Sequence, residues 1–413
     1  MTETILAEIC VVGAGPVGAT LACRLAAAGM SIVVIDRAPL PPMERPAFDG
    51  RAYAIAHASR DIIAAAGIWD RLPKPACPIE EIRVSDGRLG RPASRLFLHF
   101  DHRQATQPGE TTGNPLGPFG WMVEARDLRV ALNTTLHSQP NLRLLAPAAA
   151  QVERHADGAT VRIAGGPTIH ARLVIAAEGK NSPLREQAKI PVTRLPYHQT
   201  GIVCAIAHDR PHHNTALEHF LPSGPFARLP MCSTADAPNV SAIVWTERDA
   251  IARRVLALND DAFAHQIARR MGDHLGIVRL LGGRWHFPLA AQHAHRYFDT
   301  RLALIGDAAH TIHPIAGQGL NLGFRDVGAL AALLIAAHEM GADPGAPGLL
   351  ARYQRARRPD NLLMLAATDT LDRLFSTGFP PIRLIRDLGL GAVQRLPGLK
   401  RLFMRHAMGL GGR

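Results

Sequence analysis

The stretch RLALIGDAAHTIHPIAGQGLNLGFRDVGAL, residues 301–330, holds Asp307 among small residues and then a glycine-rich turn, and it contains no Ser, Cys or Lys to serve as a nucleophile. Its chemistry must come from a bound group, with the chain supplying backbone and a carboxylate. Asp307, at the end of the apolar run LALIG (Gly306 its last residue), can accept hydrogen bonds from the hydroxyls of a polyol such as a ribityl chain. The N–H groups around Gly319, Leu320 and Asn321, where a helix is expected to begin, favour negative charge on a bound ring. A reduced flavin is such an anion.

Two more glycine motifs precede this one. Gly13-Ala14-Gly15-Pro16-Val17-Gly18 follows the apolar run EICVV, and Asp36 lies 23 residues beyond Gly13, at the end of SIVVID. In a dinucleotide site the first glycine makes the tight turn, the second admits the pyrophosphate to backbone N–H groups, and the third lets helix pack on strand. A carboxylate at Asp36 would then take the ribose hydroxyls. The other motif, AAEGKNSPLR at 176–185, places Glu178 and Gly179 at a strand end with Ser182 as a helix cap. Taken alone, it is equally a plain strand–turn–helix link.

These motifs need elements that bring them together. Residues 8–36 predict strand, turn, helix and strand, with Gly29 as the helix stop. Helices are expected over Ser59–Leu72, Ala125–Gln139 and Asp260–Met271, and short strands at QVER, ATVRI and LVIAAEG. Residues 101–118, rich in Gly, Pro and Thr, suggest a surface loop. From about Pro191 to His295 proline and histidine become frequent and alternating runs such as VSAIVW appear, which suggests an inserted second domain. LALIG resumes the first pattern, a long buried helix follows, and the tail is helical and basic.

Composition bounds the function. The chain has 413 residues, 47% apolar and 20% charged, as expected of a folded protein with a main and a smaller domain. The longest uncharged apolar run, GALAALLIAA at 328–337, is shorter than the ~20 residues a membrane span needs. The acidic start MTETILAE does not resemble an export signal, and five widely spaced cysteines without a Cys-x-x-Cys pair suit reduced thiols in a cytoplasm. Net charge is +11, of which the segment 380–413 carries +6 through Arg383, Arg386, Arg395, Lys400, Arg401, Arg405 and Arg413 against Asp387. Such a tail could meet an anionic membrane or an acidic partner; with aromatics at 5%, no nucleic-acid module is visible.

Three motifs in this order resemble the FAD-dependent aromatic hydroxylases of the para-hydroxybenzoate hydroxylase class, over residues 9 to about 409. FDGRAYAIAHAS (48–59), FGWMVEARDLRVAL (119–132), HPIAGQGLNLGFRDVGAL (313–330) and the tail are similar to its ubiquinone-biosynthesis branch. The resemblance implies an α/β fold: a Rossmann-like FAD-binding domain (1–75, 101–190, 296–345), an inserted α+β substrate domain (76–100, 191–295) and a helical basic region (346–413). It implies that Gly13, Gly15, Gly18, Asp36 and Arg37 hold the ADP half of FAD, with Arg51 and Arg126 near the phosphates or ribityl chain and Val152 near the adenine. Asp307 would hold the ribityl chain, and Pro314, Gly317, Gly319, Leu320 and Asn321 would line the ring. Glu178 departs from the more usual Asp-Gly, which leaves its contact with FAD or the nicotinamide open.

The chemistry implied is hydride transfer from NAD(P)H to FAD, reaction of the reduced flavin with O₂, and delivery of an electrophilic oxygen to an electron-rich ring. The protein orients the substrate and excludes water. No second glycine fingerprint is present, in keeping with a transient NAD(P)H. A base for a phenolic substrate could be His198, His219 or Tyr197, and none is assigned. His310-x-x-His313 lacks further ligands for a metal, and GRWHFPLA lacks the Trp-x-Trp-x-Ile-Pro element of flavin halogenases. A hydroxylase of a soluble aromatic, a flavin reductase or dehydrogenase, and a non-catalytic binder retaining the FAD fold are the competing expectations. The expected location is cytoplasmic, peripheral at the inner face of the cytoplasmic membrane.

Overall fold

The computed structural model describes residues 3–40, 43–44, 46–87, 89, 97–104, 117–376 and 396–410. The opening βαβ unit forms from Thr4–Val12, the helix Pro16–Ala26 and Ile32–Ile35, with Gly29 at φ +91° after the helix end. Ile9, Cys10, Val11, Val33 and Val34 are all buried, as expected of parallel strands covered on both faces.

Five parallel strands run in the order Leu302–Leu304, Thr168–Ala176, Thr4–Val12, Ile32–Ile35, Leu142–Leu145. Their register decides the site. Val12 lies opposite both Ala176 and Ile35, and Ala176 opposite Leu304, so the turns carrying Gly13, Asp36, Glu178 and Gly306 leave one edge together. Ligands of open α/β sheets bind at that carboxyl edge. Ala150–Arg154, Ala159–Ile163 and Phe298–Asp299 complete this sheet with antiparallel pairings. The helix Gln318–Glu339 passes the length and apolarity test for a membrane span, yet Leu322, Phe324, Val327, Leu330 and Leu334 on it are buried.

A second eight-stranded sheet is almost wholly antiparallel and is built mainly from Val192–His208, Thr215–Leu221, Gly224–Met231, Val240–Arg248 and Val278–Ala294. Helices Asp249–Leu256 and Asp260–Met271 cover one of its faces through Trp245, Phe226, Phe263 and Ile267. Asn259 caps the second of these by accepting from Ala262 N at 2.9 Å.

Several expectations change. The helix expected over Ser59–Leu72 stops at Ala65, and only a short turn, Trp69–Arg71, follows, because Gly67 takes φ +72° between them. The segment 76–100 is shared: Cys77–Ile79 joins Gly120–Glu124 and Ala52–Ala56 in a three-stranded sheet, whereas Glu81–Asp86 and Phe97–Asp101 join the large antiparallel one. The switch falls at Glu80, whose N–H donates to Asn214 O at 2.9 Å. Asp101 ends a strand and His102–Gln104 forms a turn; residues 105–116 of the expected loop lie outside the described residues. So do Arg383, Arg386, Asp387, Arg395 and Arg413 of the tail, which leaves the helices Pro347–Ser376 and Pro397–Ala407.

Candidate active site

Gly13 adopts φ +108°, and any side chain there would collide with the Ala177 carbonyl; one at Gly18 would collide with the carbonyl of Gly13. Gly15 faces open space, with nothing within 4 Å of where a Cβ would sit. It stands at the helix start with no side-chain cap, so the N–H groups after Pro16, from Val17 and Gly18, are available to an anion. Asp36 holds the turn from the next strand: Oδ2 accepts from Ala14 N at 2.7 Å and Oδ1 from Ala38 N at 2.9 Å. Arg37 beside it is exposed.

Arg51 binds Asp49 through Nε (3.0 Å) and Nη2 (2.7 Å), and its guanidinium lies 4.2 Å from the Trp285 ring centre. Arg126 is held by Glu124 Oε2 at 2.5 Å and Pro46 O at 3.0 Å. Val152 is buried in the core, and its carbonyl accepts from Gln187 at 2.7 Å. The Glu178 carboxylate curls onto the next helix, accepting from Ser182 Oγ at 2.5 Å and Leu184 N at 3.2 Å, while Ser182 Oγ caps Arg185 N at 3.2 Å. Burial raises the Glu178 carboxyl despite those two bonds.

At the far side of this edge Gly306 adopts φ +56° and Asp307 stands exposed in the crevice. The surrounding protein raises the Asp307 carboxyl, against the pull of His310 and Lys180. A side chain overlooked in the sequence fixes this turn. Asp326, fully buried, accepts from Gly306 N (3.0 Å) and His310 Nε2 (2.6 Å) at Oδ2, and from Arg357 Nε (2.9 Å) and Asn361 Nδ2 (3.2 Å) at Oδ1. Burial alone would raise it; His310 and Arg357 instead bring it down to about 2. Its visible signal was an acid on an otherwise apolar helix face.

The glycine turn 314–319 leads into the buried helix Gln318–Glu339, with Gly317 at φ +62° and open space at Gly319. Asn321 braces it: Oδ1 accepts from Ala56 N at 2.8 Å, and Nδ2 donates to Ala54 O at 2.9 Å and Gly317 O at 3.1 Å. With the Asn321 side chain so engaged, the turn offers a flat ring its backbone.

Facing this turn, a narrow cavity opens toward the antiparallel sheet. Ala227, Leu229 and Val244 form one wall, Pro314 and Ile315 the other. Its polar groups are Glu218 and Thr246. The bases considered in the sequence lie elsewhere. His219 Nδ1 pairs with Ser85 Oγ at 2.8 Å, His198 is exposed at a strand irregularity, and Tyr197 packs edge-on against His313 at 4.9 Å. His313 sits 3.3 Å from Gln199 Oε1, and burial lowers its ring to about 4.

Residues 6–367 match the family described as FAD binding domain. The chain belongs to that FAD-binding family. It is 49% identical to ubiquinone hydroxylase UbiL of Rhodospirillum rubrum, over 98% of this chain and 90% of the relative. It is 34% identical to 3-demethoxyubiquinol 3-hydroxylase of Escherichia coli, over 98% of each. The crystal structure of p-nitrophenol 4-monooxygenase PnpA from Pseudomonas putida shares the fold, with TM-score 0.79 at 20% identity over 100% of this chain and 99% of that one.

FAD is thus the cofactor of this flavoprotein family member, and the residues present fit it. The open faces of Gly15 and Gly319 admit a phosphate and a flat ring, and uncapped helix starts at Gly15 and Gly317 face the anionic parts. Sequence reasoning found the backbone motifs and missed Asp326, Arg357 and Asn361 behind them, and Glu218 and Thr246 across from them. In TALEHFL the acid Glu218 alternates in phase with Ala216 and Phe220, which was the available sign that it points inward.

Proposed function

We propose that this protein is an FAD-dependent monooxygenase that hydroxylates the aromatic ring of a polyprenyl phenol or quinone precursor in ubiquinone biosynthesis, with O₂ and NAD(P)H or an equivalent reductant. The observation that carries the reading is the end-to-end likeness to a ubiquinone hydroxylase. The apolar cavity against the glycine turn supports it, since it would exclude water from a flat aromatic ring. FAD, when bound, supplies the oxygen activation.

In this proposal Gly13, Gly15, Gly18, Asp36 and Arg37 bind the ADP half, Asp307 holds the ribityl hydroxyls, and the 314–321 backbone carries the ring. Arg51 and Arg126 would leave part of their present pairing for the phosphates. The antiparallel sheet forms the substrate domain. Quinone lipids of a strain lacking this gene test the function: accumulation of a precursor short of a ring hydroxyl is expected, and an unchanged quinone pool in a strain without a second such hydroxylase overturns it.

The proposed location is the inner face of the cytoplasmic membrane. Leu396 and Leu402 are exposed on and beside the helix Pro397–Ala407, which also bears Lys400, Arg401 and Arg405. An amphipathic basic helix of this kind binds anionic lipid, at about 1 kcal/mol per base near the surface. Leu402→Glu with Arg401→Glu should weaken binding to phosphatidylglycerol vesicles at least ~10-fold; unchanged sedimentation would remove the membrane assignment.

A further inference from the structure

The cavity holds an unexplained acid. Glu218, on the strand Thr215–Leu221, is only 8% exposed and lines the space opposite Pro314 and Gly317. Its carboxylate has no hydrogen-bond or ionic partner among the described residues. The groups facing it are Pro225, Ala227, Thr246 and the 314–317 turn, none of which ionises. His219 and Arg228 are one position out of phase with the cavity-facing residues Glu218 and Ala227, and they bind Ser85 Oγ and Thr215 O instead. Thr246 Oγ1, buried in the same wall, also lacks a partner among the described residues. Buried polar atoms in native proteins are nearly always satisfied, so an unsatisfied Thr246 hydroxyl beside a carboxylate that opens only onto the same apolar cavity marks a position that a ligand completes.

We propose that Glu218 is the catalytic base for the substrate's ring hydroxyl, with Thr246 receiving a second ring oxygen. The proposal rests on the ring-hydroxylation reading above. In the step, the phenol O–H bond breaks, an O–H bond forms on the Glu218 carboxylate, and the electron pair stays on the ring oxygen. That raises electron density at the carbons ortho and para to it, where an electrophilic oxygen adds. The carbon that gains oxygen loses its hydrogen as a proton, and the Glu218 proton returns to the ring oxygen as product leaves, so the proton transfer itself is redox-neutral and O₂ is the only oxidant.

Burial pushes the Glu218 carboxyl up to about 7. Against a phenol near 10, the mismatch in proton affinity is roughly three orders of magnitude, compared with about six for an exposed glutamate. A general base tuned toward the working pH is the more effective one.

The test uses the FAD-loaded enzyme with a 2-dimethylallyl phenol and its ring-fluorinated counterpart, which ionises more easily. Wild type should hydroxylate the first with kcat rising through an apparent value near pH 7. Glu218→Gln, checked for unchanged FAD content, should lower kcat by ~10²–10³-fold, flatten that pH limb, and recover at least tenfold on the fluorinated phenol. A variant that keeps the wild-type kcat and pH limb, or loses the same factor on both phenols, would overturn the base assignment. A wild type that forms no hydroxylated product from either phenol would instead overturn the ring-hydroxylation reading, and the base with it.

Discussion

The two sides of the crevice treat a buried carboxyl in opposite ways. Behind the cofactor turn, Asp326 receives four donors and is brought down to about 2; in the cavity wall, Glu218 receives none among the described residues and rises to about 7. Burial raises both, so the donors decide the outcome. Glu178 lies between them: with Ser182 and Leu184 as donors, its carboxyl is still raised. The cofactor side is finished by its own residues and holds Gly306 and Asp307 in place before any ligand arrives. The substrate side is left incomplete, at a cost in stability, so that a ligand can complete it.

The largest expected effect comes from Asp326→Asn, which leaves Arg357 and His310 facing a neutral amide. It should cost about 3–5 kcal/mol in urea unfolding near pH 7, as expected when one partner of a buried ion pair is removed. Because the folded value lies below the unfolded one, the stability from Asp326 is fully present above about pH 4 and is lost as pH falls through about 2. A loss below 1 kcal/mol would mean that the network does not act as one unit.

Glu218→Gln should move stability the other way. A carboxyl raised on folding supports the fold below its unfolded value of about 4.3, and that support is lost as pH rises through about 7. The apo-variant should therefore match wild type at pH 4 and exceed it by up to about 3 kcal/mol at pH 8. An equal difference at the two pH values would show that Glu218 is already satisfied, and the contrast would collapse.

The smallest effect belongs to the intermediate case. Ser182→Ala removes a helix cap and one of the two Glu178 donors, and should cost about 1 kcal/mol. No measurable change would show that the Ser182 hydroxyl holds neither the helix start nor the Glu178 carboxyl.

On the cofactor side the sequence made the backbone turns legible. Glycines that clash when given a Cβ, an acid at a strand end and a Ser before a helix are local devices, and their spacing along one βαβ unit survives in any fold that contains it. The expected helix over Ser59–Leu72 failed at Gly67, where an apolar pattern continued past a residue whose backbone had turned left-handed. Arg51 and Arg126 were legible as cations near the site, but their present partners, Asp49 and Glu124, follow from side-chain packing that spacing does not encode.

What the sequence by itself determined is the βαβ opening, the three glycine turns and the flavin chemistry they imply, because each depends on neighbours within a few residues or one crossover. Tertiary structure alone decided which side chains share a wall. Asp326 meets Arg357 from another helix, and Glu218, Thr246 and Pro314 meet across a cavity between a sheet and a turn. Burial and the supply of donors are set by residues far along the chain, so the same functional group, a carboxyl, becomes a fixed anion in one place and a poised base in the other.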